Sequence, residues 1–166
     1  MDTLEETAPQ RRLLTTRGEY LACFDELLAL AQRELRIFDP DLAELGFNTP
    51  GKIDRLRQFA STSATHRLWI AVHEPAHVMR HCPRFMSLLG SYSRSIFVYQ
   101  TEGDALKAQD CFALADENHL VRRPVAKQTR GVLILNDPKD CQSIRDRFDE
   151  IWQSSVPSVS PATTGL

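Results

Sequence analysis

CFALADENHLVRRPVAKQTRGVLIL, residues 111–135, decides the fold. It opens on the apolar run Cys111-Phe112-Ala113-Leu114-Ala115, halted at Asp116, and closes on Gly131-Val132-Leu133-Ile134-Leu135, halted at Asn136-Asp137-Pro138. Both runs have the length and bounding residues of strands. No helical spacing separates them, so the late half of the chain does not alternate strand with helix as a doubly wound fold requires.

Upstream the pattern does alternate. From Gly18 to about Arg33, Leu21, Phe24, Leu27, Leu28 and Ala31 recur at helical spacing. Leu35 to Phe38 then read as a short strand stopped at Asp39-Pro40. A second helix begins at Thr49-Pro50, with Thr49 as cap and Ile53, Leu56 and Phe59 inward. Leu68 to Val72 is apolar on both faces, as an interior strand of a covered sheet is. Phe85 to Leu89 lie in a helix, and Ser95 to Tyr99 form the next strand. The last helix runs from Pro138 to about Ser154 with Cys141, Ile144, Phe148, Ile151 and Trp152 on one side. Phe148 and Trp152 are packing residues. The order α-β-α-β-α-β-β-β-α predicts an α/β domain with a mixed sheet flanked by helices on both faces. The glycine-rich phosphate turn of a Rossmann fold is missing after the first strand.

The bulk properties set the setting. At 166 residues, with 42% hydrophobic and 25% charged residues, the chain fits one ordinary globular domain. A net charge of −2 gives no overall pull towards nucleic acid or anionic membrane, so any anion site must be local. Cys23, Cys82, Cys111 and Cys141 form no CxxC pair and read as reduced thiols. No apolar run serves as a signal peptide or a membrane span, which leads to an expected cytoplasmic location. Residues 1–16 lack apolar periodicity and the tail is rich in Ser, Pro and Thr. The expected layout is a flexible segment over 1–16, a domain over 17–157 and a flexible tail over 158–166.

The late half, a strand ending in Asp, a second strand, then a helix carrying Phe148, Trp152 and Ser155 before Pro157, resembles one half of a phospholipase D-like domain. That resemblance implies a His-x-Lys-x4-Asp motif, whose histidine attacks phosphorus and whose lysine neutralises phosphate oxygens. Laid on Asp116, it puts Gln109 at the histidine and Cys111 at the lysine. Glutamine forms no phosphohistidine, and an ordinary thiol supplies no cation. The chain is thus similar to a degenerate single half, and to bacterial domains of unknown function that lack the motif and sometimes follow an acetyltransferase domain. Active members join two halves at one site, so the resemblance also implies a homodimer of C2 symmetry.

Other groupings admit two readings each. Asp39-Pro40-Asp41 ends a strand where α/β sheets bind ligands, or forms an Asx turn with Asp41 capping a short helix. His119-Leu120-Val121-Arg122-Arg123-Pro124, with Lys127 and Arg130, is an anion site or a charged hairpin connection on a sheet edge. Cys111 is core, or a reactive thiol facing a basic pocket. His73-Glu74-Pro75-Ala76-His77 spells HExxH, but Pro75 disrupts the helix that motif needs. His77 and His81 could pair on a following helix, yet a strand-to-helix loop with solvated histidines is the preferred reading. No metal, cofactor or catalytic residue is assigned. The candidate ligand-binding residues are Asp39, Asp41, Gln109, Cys111, Asp116, His119, Arg122 and Arg123, for a small anionic ligand. A non-catalytic binding or regulatory domain leads. An enzyme acting on a phosphorylated substrate through His119, Arg122 and Arg123, and a dimerising interaction module, are the alternatives.

Overall fold

The structure, a computed structural model, describes residues 8–160. Its elements follow in the order β1 (Gln10–Leu14), α1 (Arg17–Leu30), β2 (Glu34–Asp39), α2 (Pro50–Thr62), β3 (Arg67–Val72), α3 (Ala76–His81), α4 (Pro83–Ser91) and β4 (Ile96–Thr101). A 3-10 turn (Gly103–Lys107) leads to β5 (Cys111–Ala115), β6 (His119–Arg123), β7 (Gly131–Leu135), α5 (Pro138–Gln153) and β8 (Ser155–Val159). Local chemistry fixes the long helices. The Thr16 hydroxyl caps α1 by accepting the Glu19 N–H at 3.1 Å, and Asp137 caps α5 by accepting the Asp140 N–H at 3.1 Å. Pro50 and Pro138 open α2 and α5, where a missing N–H has no consequence.

All eight strands form one sheet in the order β1-β7-β6-β5-β2-β3-β4-β8. Strands β2, β3 and β4 run parallel, joined through helices, and every other pair is antiparallel. Alternation along each strand sends Leu35, Ile37, Cys111, Ala113, Val121 and Leu133 into one core with the buried sides of α1, α2 and α4. Phe38, Phe112, Leu114, Leu120 and Ile134 point the other way, into a smaller core closed by Cys141, Phe148 and Ile151 of α5. The expected mixed sheet with helices on both faces is what the chain forms. No helix among the described residues is long and apolar enough to cross a membrane.

Three strands depart from the sequence reading. Gln10–Leu14, placed in a loose leader, is the edge strand β1, paired with β7 from Gln10↔Leu135 to Leu14↔Gly131. Only Leu14 of its residues is buried, so it shows no alternation and is held by backbone pairing. Ser155–Val159, read as the end of the domain and the start of its tail, is the opposite edge, β8. Pro157 is tolerated there because an outer strand leaves one side without ladder bonds, and the pairing slips at Val98/Tyr99. Residues 1–7 and 161–166 of the two expected flexible segments lie outside the described residues. His119–Arg123, read as a hairpin connection on a sheet edge, is instead the interior strand β6 between β5 and β7.

Candidate functional site

The positions that the phospholipase D-like motif assigns to its histidine and lysine stand at one end of β5. Gln109 is exposed, and its carbonyl accepts the Ala126 N–H at 2.7 Å. Cys111 is only 1% exposed, with its Sγ 3.6 Å from the Tyr20 hydroxyl. Burial, and then the nearby Asp39 carboxylate, push its thiol up to about 11, so it is neither a nucleophile nor a cation near neutral pH.

A cation does stand beside it, one strand over. Cys111 faces Arg123 across the β5–β6 ladder, and the Arg123 guanidinium lies 4.2 Å from the centre of the Tyr20 ring. Its two terminal nitrogens are committed, while its Nε–H is buried with no hydrogen-bond partner among the described residues. Those terminal nitrogens donate to Glu44 at 2.9 Å and to the carbonyls of Ala126 and Gln128 at 3.0 and 3.3 Å. Burial opposes its charge, yet pairing with Glu44 holds its pKa above the ordinary arginine value. Asp39 completes this buried polar cluster, with one carboxylate oxygen accepting the N–H groups of Asp41 (3.2 Å) and Leu42 (2.7 Å). Burial pushes Asp39 up to about 6 despite those two bonds. The Asp39 bond to the Asp41 N–H makes Asp39-Pro40-Asp41 an Asx turn, Asp41 repeats it by accepting the Ala43 N–H at 3.0 Å, and no helix follows before α2.

Adjacent arginines of one strand point to opposite faces, so Arg122 and Arg123 do not hold one anion between them. Arg122 lies on the α5 side, where its Nε and terminal nitrogen donate to Asp110 at 3.3 and 3.1 Å. Arg147 of α5 donates to both oxygens of the same carboxylate, at 2.9 and 2.6 Å. Burial raises the Asp110 pKa, but the two guanidiniums outweigh it and hold the group below the usual carboxylate value.

Asp116 and His119 sit at the far end of the β5–β6 hairpin, about 17 Å along β5 from Cys111 and about 13 Å along β6 from Arg123. The Asp116 carboxylate accepts the backbone N–H groups of Gln32 (3.0 Å), Arg33 (2.8 Å) and Glu34 (3.1 Å), closing the loop between α1 and β2. Asp116 and Asn136 end their strands with φ of 54° and 56°, a conformation that Asp and Asn adopt more readily than most residues. Both line a cavity of about 840 Å3 that His119, Glu117, Asn118, Gln32 and Arg33 help to form. His119 Nδ1 accepts the Asn136 N–H at 3.1 Å, which fixes the ring proton on Nε2. Burial lowers the His119 pKa, against the pull of Asp116. His119 therefore shares no pocket with Asp39, Arg122 or Arg123, and the three-residue constellation of the rearranged enzyme is not assembled.

The HExxH letters do not make a metalloprotease helix. Helix α3 begins after Pro75, leaving His73 outside it. His73 Nε2–H donates to the Ala108 carbonyl at 2.7 Å, so its Nδ1 accepts the Thr101 hydroxyl at 2.6 Å. His73 is thereby bonded within the protein, where sequence reading had it solvated. The His77 and His81 rings lie 5.2 Å apart on α3. Sequence reading also missed Tyr20, Glu44, Arg33 and Arg147. Tyr20 is masked by the helical stripe it belongs to, and Glu44 lies in an irregular loop without a pattern.

The sheet order and the two helical layers are those of a phospholipase D-like α/β fold. Within that class the chain belongs to the family described as Domain of unknown function (DUF7931), whose model matches residues 16–160. Among solved structures it is similar to Nuc of Salmonella typhimurium, a phospholipase D family member (TM-score 0.62, 15% identity, covering 92% of this chain and 100% of that one). It is also similar to NucT from Helicobacter pylori (TM-score 0.64, 13% identity, 91% and 100%). The archaeal chromatin protein TrmBL2, described with a novel mode of DNA binding, gives a TM-score of 0.65 at 10% identity over 90% of this chain and 55% of that one. At such identities the likeness is one of fold. No curated protein matches the sequence.

Proposed function

We propose that this domain is a non-catalytic ligand-binding or regulatory domain built on a phospholipase D-like scaffold. One observation carries the reading: the position of the motif's nucleophile holds an exposed glutamine, and the position of its cation holds a buried neutral thiol. Arg123 does not replace the lysine, because Glu44 and two carbonyls already use its terminal nitrogens and only its buried Nε–H is left over. The test is hydrolysis of bis-(p-nitrophenyl) phosphate and of DNA by the pure protein, with Gln109→Ala as control. Turnover at the level of buffer supports the proposal. Robust turnover that disappears in Gln109→Ala overturns it.

The proposal extends to pairing of two copies about a twofold axis, on the precedent of family members that build one site from two halves. Light scattering at micromolar concentration reads this directly, and monomer alone would remove the dimer from the proposal. The free, buried thiols are compatible with a reducing compartment such as the cytoplasm. The net charge of −2 weighs against nucleic acid as the ligand, and a mobility-shift titration with DNA checks that.

A further inference from the structure

The 840 Å3 cavity at the Asp116 end of the sheet is edged by three carboxylates, and each already has a partner. Glu26 pairs with Arg12 at 3.1 Å, Glu117 with Arg145 at 3.7 Å, and Asp116 with three backbone N–H groups. The donors are in the opposite condition. His119 is 7% exposed, its Nδ1 is used by Asn136, and its Nε2–H has no partner among the described residues although the side chain lines the cavity. The exposed Arg33 guanidinium, on the same wall, also has no partner among the described residues. The His119 Nε2–H opens onto the cavity from a ring that is otherwise buried, so a ligand seated there can supply its acceptor.

From this geometry we infer that the cavity binds a small polar molecule carrying an oxyanion, phosphate or carboxylate, with Arg33 and His119 Nε2–H as its two donors. Arg33 supplies the charge and a fork of donors, while His119 supplies a fixed, directional one. The neighbouring side-chain amides of Gln32 and Asn118 suit hydroxyl groups on the same molecule, and the volume is that of a typical small-molecule site. The inference rests on the ligand-binding reading proposed above and gives it a location: the end of the sheet opposite Gln109 and Cys111.

The experiment is a titration of the full chain with inorganic phosphate, glycerol 3-phosphate and succinate, followed by the imidazole nitrogen resonances of His119. A saturable shift of Nε2 is expected, and the three probes separate phosphate from carboxylate recognition. Arg33→Gln is expected to weaken binding about tenfold or more, the loss of one charge-assisted hydrogen bond. His119→Asn keeps an acceptor for the Asn136 N–H but removes the Nε2 donor, and backbone amide shifts then read the same loss. Should that variant not fold, Arg33→Gln, on an exposed side chain, carries the test. No saturable shift with any probe up to about 50 mM overturns the inference, as does an unchanged affinity in Arg33→Gln. Saturable shifts confined to Tyr20 and Arg123 also overturn it while leaving ligand binding intact, and phosphodiesterase turnover would remove only the non-catalytic reading.

Discussion

Asp39 and Asp116 are both acidic residues at strand ends, yet their surroundings use them in opposite ways. Burial outweighs the two backbone hydrogen bonds and the Arg123 charge near Asp39, and its pKa rises from 3.8 to about 6. The native state therefore takes up a proton between pH 6 and 4 that the unfolded chain does not, and this group favours the fold increasingly as pH falls through that window. Asn at 39 keeps the oxygen that Leu42 and Asp41 donate to and removes the charge. Asp39→Asn is expected to raise stability at pH 8 by at most about 3 kcal/mol, and the gap should close towards pH 4 in urea titrations. A loss at pH 8 would mean that the loop depends on the ionised form. Asp116, in contrast, satisfies three N–H groups. Asp116→Ala is expected to lose about 2–4 kcal/mol by denaturant unfolding, with Asp116→Asn, which tolerates the positive φ and keeps one acceptor, falling between.

At the scale of elements, the β6–β7 pairing depends on a glycine. A Cβ at Gly131 would stand 2.7 Å from the Arg122 carbonyl oxygen and 3.2 Å from the Arg123 side chain, so the backbone must move. Gly131→Ala is expected to lose about 1–3 kcal/mol, with faster amide exchange in β6 and β7. The edges matter as well. A chain cut to residues 17–157 lacks β1 and the end of β8, including the buried Leu14 and Val159. It is expected to melt below a chain of residues 8–160 by several degrees, about 2–4 °C for each kcal/mol lost. Equal melting temperatures would show that the two edges contribute little to stability.

For the whole molecule, the proposal is a phospholipase D-like scaffold without that family's chemistry. Writing the motif back with Gln109→His and Cys111→Lys would put an ammonium at a position 1% exposed and beside the Arg123 guanidinium. A buried charge next to a like charge is unfavourable, and the nearby Asp39 carboxylate, already accepting two backbone N–H groups, offsets this only in part. The double variant is expected to melt at least about 10 °C lower and to gain no phosphodiesterase turnover. Turnover in a folded double variant would show that the scaffold still holds a working site.

Periodicity and stop signals determined the principal helices, five of the eight strands and the mixed character of the sheet. These depend on spacing and on Pro, Asn and Asp at fixed places, which are local. The resemblance carried by the order of the late half, a strand ending in Asp116, a second strand and the last helix, also pointed to the phospholipase D-like scaffold. Strands β1 and β8 were not legible, because edge strands bury few side chains and are fixed by the backbone of a neighbour distant in sequence. The site was legible only as a set of candidates. Strand alternation separates Arg122 from Arg123, and the length of β6 separates His119 from both. Only the tertiary structure pairs Cys111 with Arg123 and Tyr20, spends that arginine on Glu44, and leaves the free donors of His119 and Arg33 together at the other end of the sheet. Those relations cross between elements far apart in the chain, and no local pattern encodes them.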